Sequence, residues 1–153
     1  MKNLLHLPKI ILIAIISFCI CACDKDEIDV EYDIAGDWKV VSYKTSSVIT
    51  KTEENTWNQF NNGDVTVSFT EPELTNGEIT GIKVTNSFSG EYTIDNKGNI
   101  SISNLSQTLI NEPEWGRLFD TIREAESYEV RDNLLIIYYN KRKNNITLEK
   151  LSN

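Results

Sequence analysis

The chain has 153 residues, with 15 Lys and Arg against 23 Asp and Glu, for a formal net charge of −8. That length supports one domain around one ordinary core, and the acidity excludes a nucleic-acid backbone as partner, which requires concentrated Lys and Arg. The single histidine and all three cysteines lie at or before position 23, so the rest of the chain has no imidazole or thiol for Ser-His-Asp, Cys-His or common zinc chemistry.

The first element in the chain is an apolar run, residues 10–18, behind Lys2, His6 and Lys9, closing on Ile20-Cys21-Ala22-Cys23. A basic head, a short apolar middle and small residues at the end describe an export signal. Residues 10–22 are too few to span about 30 Å of hydrocarbon comfortably, and an acidic run follows at once, from Asp24 to Asp37. Ile20-Cys21-Ala22-Cys23 resembles a bacterial lipobox. The resemblance implies that residues 1–22 are a lipoprotein signal peptide and that Cys23 becomes the first mature residue, carrying diacylglyceryl and amide-linked acyl chains such as palmitate. Each buried methylene is worth about 0.8 kcal/mol, so several chains make a stable anchor where one would not. Cys21 suits the pattern less well, because bulky Ile20 precedes it. Lys25-Asp26-Glu27 resembles the acidic export signal of surface lipoproteins in the Bacteroidetes group. That implies the cell-surface face of the outer membrane; a plain solvated tether, and the periplasmic face, are the alternatives. Losing Lys2 and Lys9 takes the net charge from −8 to −10. Membrane attachment therefore has to come from lipid on Cys23 and not from a basic patch.

Residues 23–34 read as an acidic tether, and a β domain is expected over residues 35–153. After the turn at Gly36-Asp37, Trp38, Val40 and Ser42 alternate with Lys39, Val41 and Tyr43 as a first strand. Residues 44–63 are polar and read as loop or a short helical turn, with Trp57 and Phe60 as aromatics over one end of the core. Asn61-Asn62-Gly63-Asp64 marks a turn. Strands follow over residues 65–70, 79–84 and 88–94, then a hairpin loop in which Gly98 can take positive φ, then a strand from Ile100 toward Thr108 and Ile110.

One segment has a different period. Asn111 can cap a helix, with Pro113 in the first turn and Glu114 as capping-box partner. Trp115, Leu118, Phe119, Ile122 and Ala125 then recur at 3,4-type spacing, predicting an amphipathic helix of about four turns over residues 112–126. Such a stripe needs a concave apolar surface, which a curved sheet supplies. Tyr128 and Val130 open another strand. Residues 134–139, an unbroken apolar run, read as a central strand buried on both sides. Residues 140–145 form a basic, polar loop, and Ile146, Leu148 and Leu151 mark the last strand. The expected architecture is mainly β: a single antiparallel, barrel-like or strongly coiled sheet of about eight strands with one packed α-helix.

Residues 86–92, the Ile100-Ser101-Ile102 strand, Thr108, the helix and Tyr128-Glu129-Val130 with Leu134-Leu135-Ile136 together resemble the META domain of small bacterial envelope and heat-shock-related lipoproteins. Gly36-Asp37-Trp38 and residues 146–151 fit its two ends. The same Gly-x-Trp opening is similar to lipocalin-like domains of Bacteroidetes lipoproteins. Cysteines that many META domains carry are replaced here by Val84-Thr85-Asn86 and Leu109-Ile110-Asn111, so cysteine-dependent properties do not transfer. The resemblance implies a non-enzymatic envelope protein with a binding, structural or stress-related role; a lipocalin-like carrier of a small apolar ligand is the alternative.

Trp38 is expected to close a barrel end, its N–H finding a partner. Trp57, Phe60 and Tyr138 are the candidate surface for a ligand or an envelope protein. The carboxylate pairs Glu53/Glu54 and Glu71/Glu73 have neither calcium-loop spacing nor a second catalytic group, so no catalytic residue, metal or cofactor is assigned. Lys141-Arg142-Lys143 either attracts an acidic partner or offsets local acidity.

Overall fold

Hairpin connections too short for crossovers force antiparallel pairing here. The computed structural model describes residues 33–152; the expected signal peptide, Cys23 and most of the tether lie outside them. The strands are β1 (Gly36–Lys44), β2 (Val48–Thr50), β3 (Thr66–Phe69), β4 (Asn76–Ile82), β5 (Ser87–Ile94), β6 (Ile100–Gln107), β7 (Ser127–Arg131), β8 (Leu134–Tyr139) and β9 (Asn144–Lys150). Eight of them lie in the order β6-β5-β4-β3-β1-β9-β8-β7, and β2 pairs beside β1. The sheet curls until its outer strands meet: Asn99 bridges Ser127, and Tyr128 N–H donates to Gly98 O at 2.8 Å. The expected curled antiparallel sheet approaching a barrel is what the chain forms.

The meeting is staggered, because the start of β6 touches the start of β7 although the two strands run in opposite directions. The rest of the seam is filled by the segment between those strands. Here the structure corrects the four-turn helix. A single α turn, α1 (Glu114–Arg117), passes into a 3-10 stretch, Leu118–Glu124. Pro113 sits at the N-cap position without a side-chain cap bond, so the Asn111/Glu114 capping box does not form. The apolar stripe nevertheless turns inward: Trp115, Phe119 and Ile122 are buried, with Leu118 and Ala125 packed against the core.

Two further expectations change. Alternation in β1 is broken by a bulge between Val40 and Ser42 in its pairing with β9. Trp38 and Val40 point in, and after the extra residue Tyr43 does as well, as a bulge requires. The run in β8 is not buried on both faces: Leu135, Ile137 and Tyr139 are inside, while Leu134, Ile136 and Tyr138 are half-buried on the outer face. That outer row is shielded by neighbouring side chains rather than by a second layer, so an unbroken apolar run arose without a two-sided core.

The interior is aromatic. Trp38, Tyr43, Tyr92, Tyr128, Phe69 and Phe119 are all essentially inaccessible. Phe69 meets Tyr92 edge-on at 5.3 Å, and Phe88 meets Phe119 at 5.2 Å. Gly77 and Gly81 make this possible, since a Cβ on either would run into the rings of Tyr92 and Phe88 directly opposite on β5. Each large apolar side chain buried this way contributes about 1.5–3 kcal/mol.

Candidate functional site

The strand registers give the barrel two distinct ends. Gly36, Phe69, Asn76, Ile94 and Lys150 lie toward one. Lys44, Ile82, Ser87, Gln107, Tyr139 and Asn144 lie toward the other. The first end receives the chain from residue 33 onward. Trp38 is near it, fully buried, its indole N–H donating to Ile34 O at 2.9 Å with Lys150 Nζ 5.3 Å from its ring. The second end is where α1 and the 3-10 stretch fill the seam, and it holds the chain's buried polar chemistry.

Glu112 organises that end. Its carboxylate turns inward and accepts the Asn86 side-chain amide at 2.6 Å, the Thr85 hydroxyl at 2.9 Å, and the backbone N–H groups of Thr85 and Asn86. These donors belong to the tight turn between β4 and β5, so one acid staples that hairpin to the start of α1. Gly116, one helical turn on, leaves the room required: a Cβ there would overlap Glu112 Oε1. Asn86 in turn grips the next loop, donating to Ile110 O at 2.8 Å and accepting from Ile110 N at 2.7 Å. Lys83, almost fully buried, pairs with Asp120 at 2.9 Å. Two neighbouring donors, the Tyr43 hydroxyl and the Trp115 indole N–H, have no hydrogen-bond partner among the described residues, although their rings meet edge-on at 4.9 Å. Burial, followed by the charges of Glu112 and Asp120 and then Tyr139, pushes Tyr43 well above the usual tyrosine range, so its hydroxyl stays a neutral donor.

Above this buried layer the end presents exposed side chains. The loop gripped by Asn86 shows Leu109, 91 % exposed, and Ile110 to solvent. Trp57 is partly buried against the core, and Phe60, 47 % exposed, follows in the same turn, its N–H donating to Trp57 O at 2.9 Å. Lys51 secures that segment through Asp64 at 2.8 Å. Tyr138 is elsewhere, on the outer face of β8. Arg142 lies over its ring at 3.9 Å, and its hydroxyl donates to Glu129 at 3.4 Å. Trp57 and Phe60 thus share one turn, while Tyr138 belongs to a cluster with Glu129, Arg131 and Arg142. Burial raises the Glu129 carboxyl, but hydrogen bonds from Arg142 and Arg131 outweigh it and hold the group below the ordinary glutamate value.

At the opposite end, Glu71, Glu73, Glu78 and Glu91 line an open groove of about 660 Å³. Glu53 and Glu54 are exposed in a 3-10 turn. Among the described residues no three His, Cys, Asp or Glu side chains are grouped to hold a metal ion.

A sequence profile of the META domain matches residues 31–151. The chain belongs to the META domain family. A search of curated proteins finds no match. Among solved structures, this META domain is similar to a DUF4847-family protein from Bacteroides vulgatus ATCC 8482, with 16 % identity, a TM-score of 0.53, and coverage of 77 % of this chain and 95 % of that one. At that identity the likeness concerns the fold, and it does not single out a lipocalin-like relationship.

The sequence reading did not find Glu112, Asn86 or Lys83. The Glu112/Gly116 spacing was the available signal, since an acid that must pass a neighbouring helical turn needs a residue without a Cβ there.

Proposed function

We propose that this META domain is a non-enzymatic, lipid-anchored protein of the outer membrane, displayed on the cell surface, whose helix-filled end recognises an envelope partner. The supporting observation is a separation: described residues begin at the end that holds Trp38, whereas Phe60, Leu109 and Ile110 belong to the other. A lipid on Cys23 would tether the domain through the chain that enters at the first end, leaving the second available to a partner. The lack of histidine and cysteine after position 23 supports a role without nucleophilic or metal catalysis. A carrier would need an enclosed apolar pocket on the order of 300 Å³ or more; the groove lined by Glu71, Glu73, Glu78 and Glu91 is open and acidic, and the packed aromatic interior favours recognition on the outside instead.

Radiolabelled palmitate fed to the native host tests the anchor. Label is expected on the wild type and absent from Cys23→Ser, which leaves the membrane fraction. An unmodified, unprocessed Met1 chain in the wild type would defeat the proposal. Protease treatment of intact cells tests display, and survival of the domain on cells with a sound outer membrane would assign it to the periplasmic face.

A further inference from the structure

The connection between β8 and β9, Asn140-Lys141-Arg142-Lys143, is at odds with its own backbone. Among the described residues eight non-glycines have left-handed φ, and five are Asn or Asp, the types that tolerate it best. Lys141 and Arg142 do not belong to that group, yet they take φ of 55° and 60° in succession. Asn140 before them is left-handed too, at 52°, so this four-residue connection has three such residues in a row, where glycine would carry no such cost. Strain kept where a cheaper residue would serve points to a use for the side chains.

The plain explanation, three bases offsetting nearby acids, accounts for only one of them. Arg142 pairs with Glu129, donates to Ser127 Oγ at 3.1 Å and covers the Tyr138 ring. Lys141 meets Glu126 through its backbone N–H at 2.8 Å, and not through its ammonium group. Among the described residues no salt bridge involves the ammonium of Lys141 or Lys143, and both side chains are exposed. A chain of net charge −8 thus holds two unspent cations on either side of a pinned guanidinium. Both ammonium groups are therefore available to attract an anion, although the carboxylates of Glu126 and Glu129 lie against the same turn.

We infer that this turn binds a phosphate-bearing ligand, held between the ammonium groups of Lys141 and Lys143 while Arg142 fixes the turn against Tyr138 and Glu129. The planar fork that suits bidentate carboxylate is already engaged with Glu129. What remains is two compact charges with three donors each, which match a doubly charged phosphomonoester better than a single carboxylate. The inference does not depend on lipidation at Cys23.

Backbone NMR of the full-length protein in neutral detergent micelles tests this, with inorganic phosphate, dihexanoyl phosphatidic acid, and acetate at matched ionic strength as probes. Saturable shifts centred on residues 140–143 are expected with a phosphate-bearing probe, with acetate weaker by about tenfold or more. Saturation by inorganic phosphate identifies a soluble source, and saturation by the lipid alone identifies a headgroup; either supports the site. Lys141→Gly combined with Lys143→Gln should weaken binding by about tenfold or more. Its thermal midpoint should hold or rise, because glycine accepts left-handed φ without strain. Lys97→Gln, in a distant loop, should change nothing. No saturable response, an equal response to acetate, or unchanged affinity in the double variant would overturn the inference.

Discussion

Glu112 shows how a buried acid can become structural through amide and hydroxyl donors. Its carboxylate is met by donors from Thr85 and Asn86, and hydrogen bonds to an ionised group are worth more than neutral ones. Gly116→Ala would drive a methyl group into that carboxylate. It should cost about 1–3 kcal/mol, read as a lower urea midpoint at unchanged slope. Tyr43→Phe should behave in the opposite way. Its buried hydroxyl has no partner among the described residues, so removing it should leave the midpoint unchanged or raise it. Glu129 carries a pH dependence. Its pKa is lowered in the fold, so its contribution is present above the unfolded glutamate pKa and is lost as pH falls through the lower folded value. Urea midpoints of the wild type and Glu129→Gln should therefore differ at neutral pH and converge in acid.

Among the elements, α1 and its 3-10 continuation bury Trp115, Phe119 and Ile122 in the seam. Phe119 is buried against Phe88, and Phe119→Ala should cost about 3–5 kcal/mol, measured by denaturant unfolding. Its stripe of Trp115, Phe119 and Ile122 was legible because spacing alone reveals a one-sided helix. The helix type was not, because a 3-10 turn can satisfy nearly the same apolar spacing. Alternation located most strands, and Asn-Gly and Asp-rich clusters located their turns. The bulge in β1 was hidden, since Val41 is as good a strand residue as its neighbours. The outer face of β8 was misread because Leu134, Ile136 and Tyr138 look like core. Arg142, Arg131 and Glu129, which shield part of that face, come from the adjoining hairpin loop and the neighbouring strand. Of the candidate surface, Trp57, Phe60 and Tyr138 were visible as aromatics, although Tyr138 lies apart from the other two on the outer face of β8. The polar centre formed by Lys83, Asn86, Glu112 and Asp120 could not be assembled from positions so far apart in sequence.

Across the whole molecule, β1 pairs with β3 on one side and β9 on the other, and Leu151 N–H donates to Asp37 O at 2.8 Å. The first strand of the domain thus waits for the last. A growing chain can form the β4–β5–β6 and β7–β8 hairpins early, but it cannot close the sheet until residues 144–150 are available. Such long-range closure slows folding and leaves intermediates with open strand edges. Removing residues 144–153 should strip β1 and β8 each of one neighbour, giving a protease-sensitive product without native near-ultraviolet circular dichroism. A polypeptide that cannot complete itself before its tail emerges becomes a finished body only once its whole length has left the ribosome.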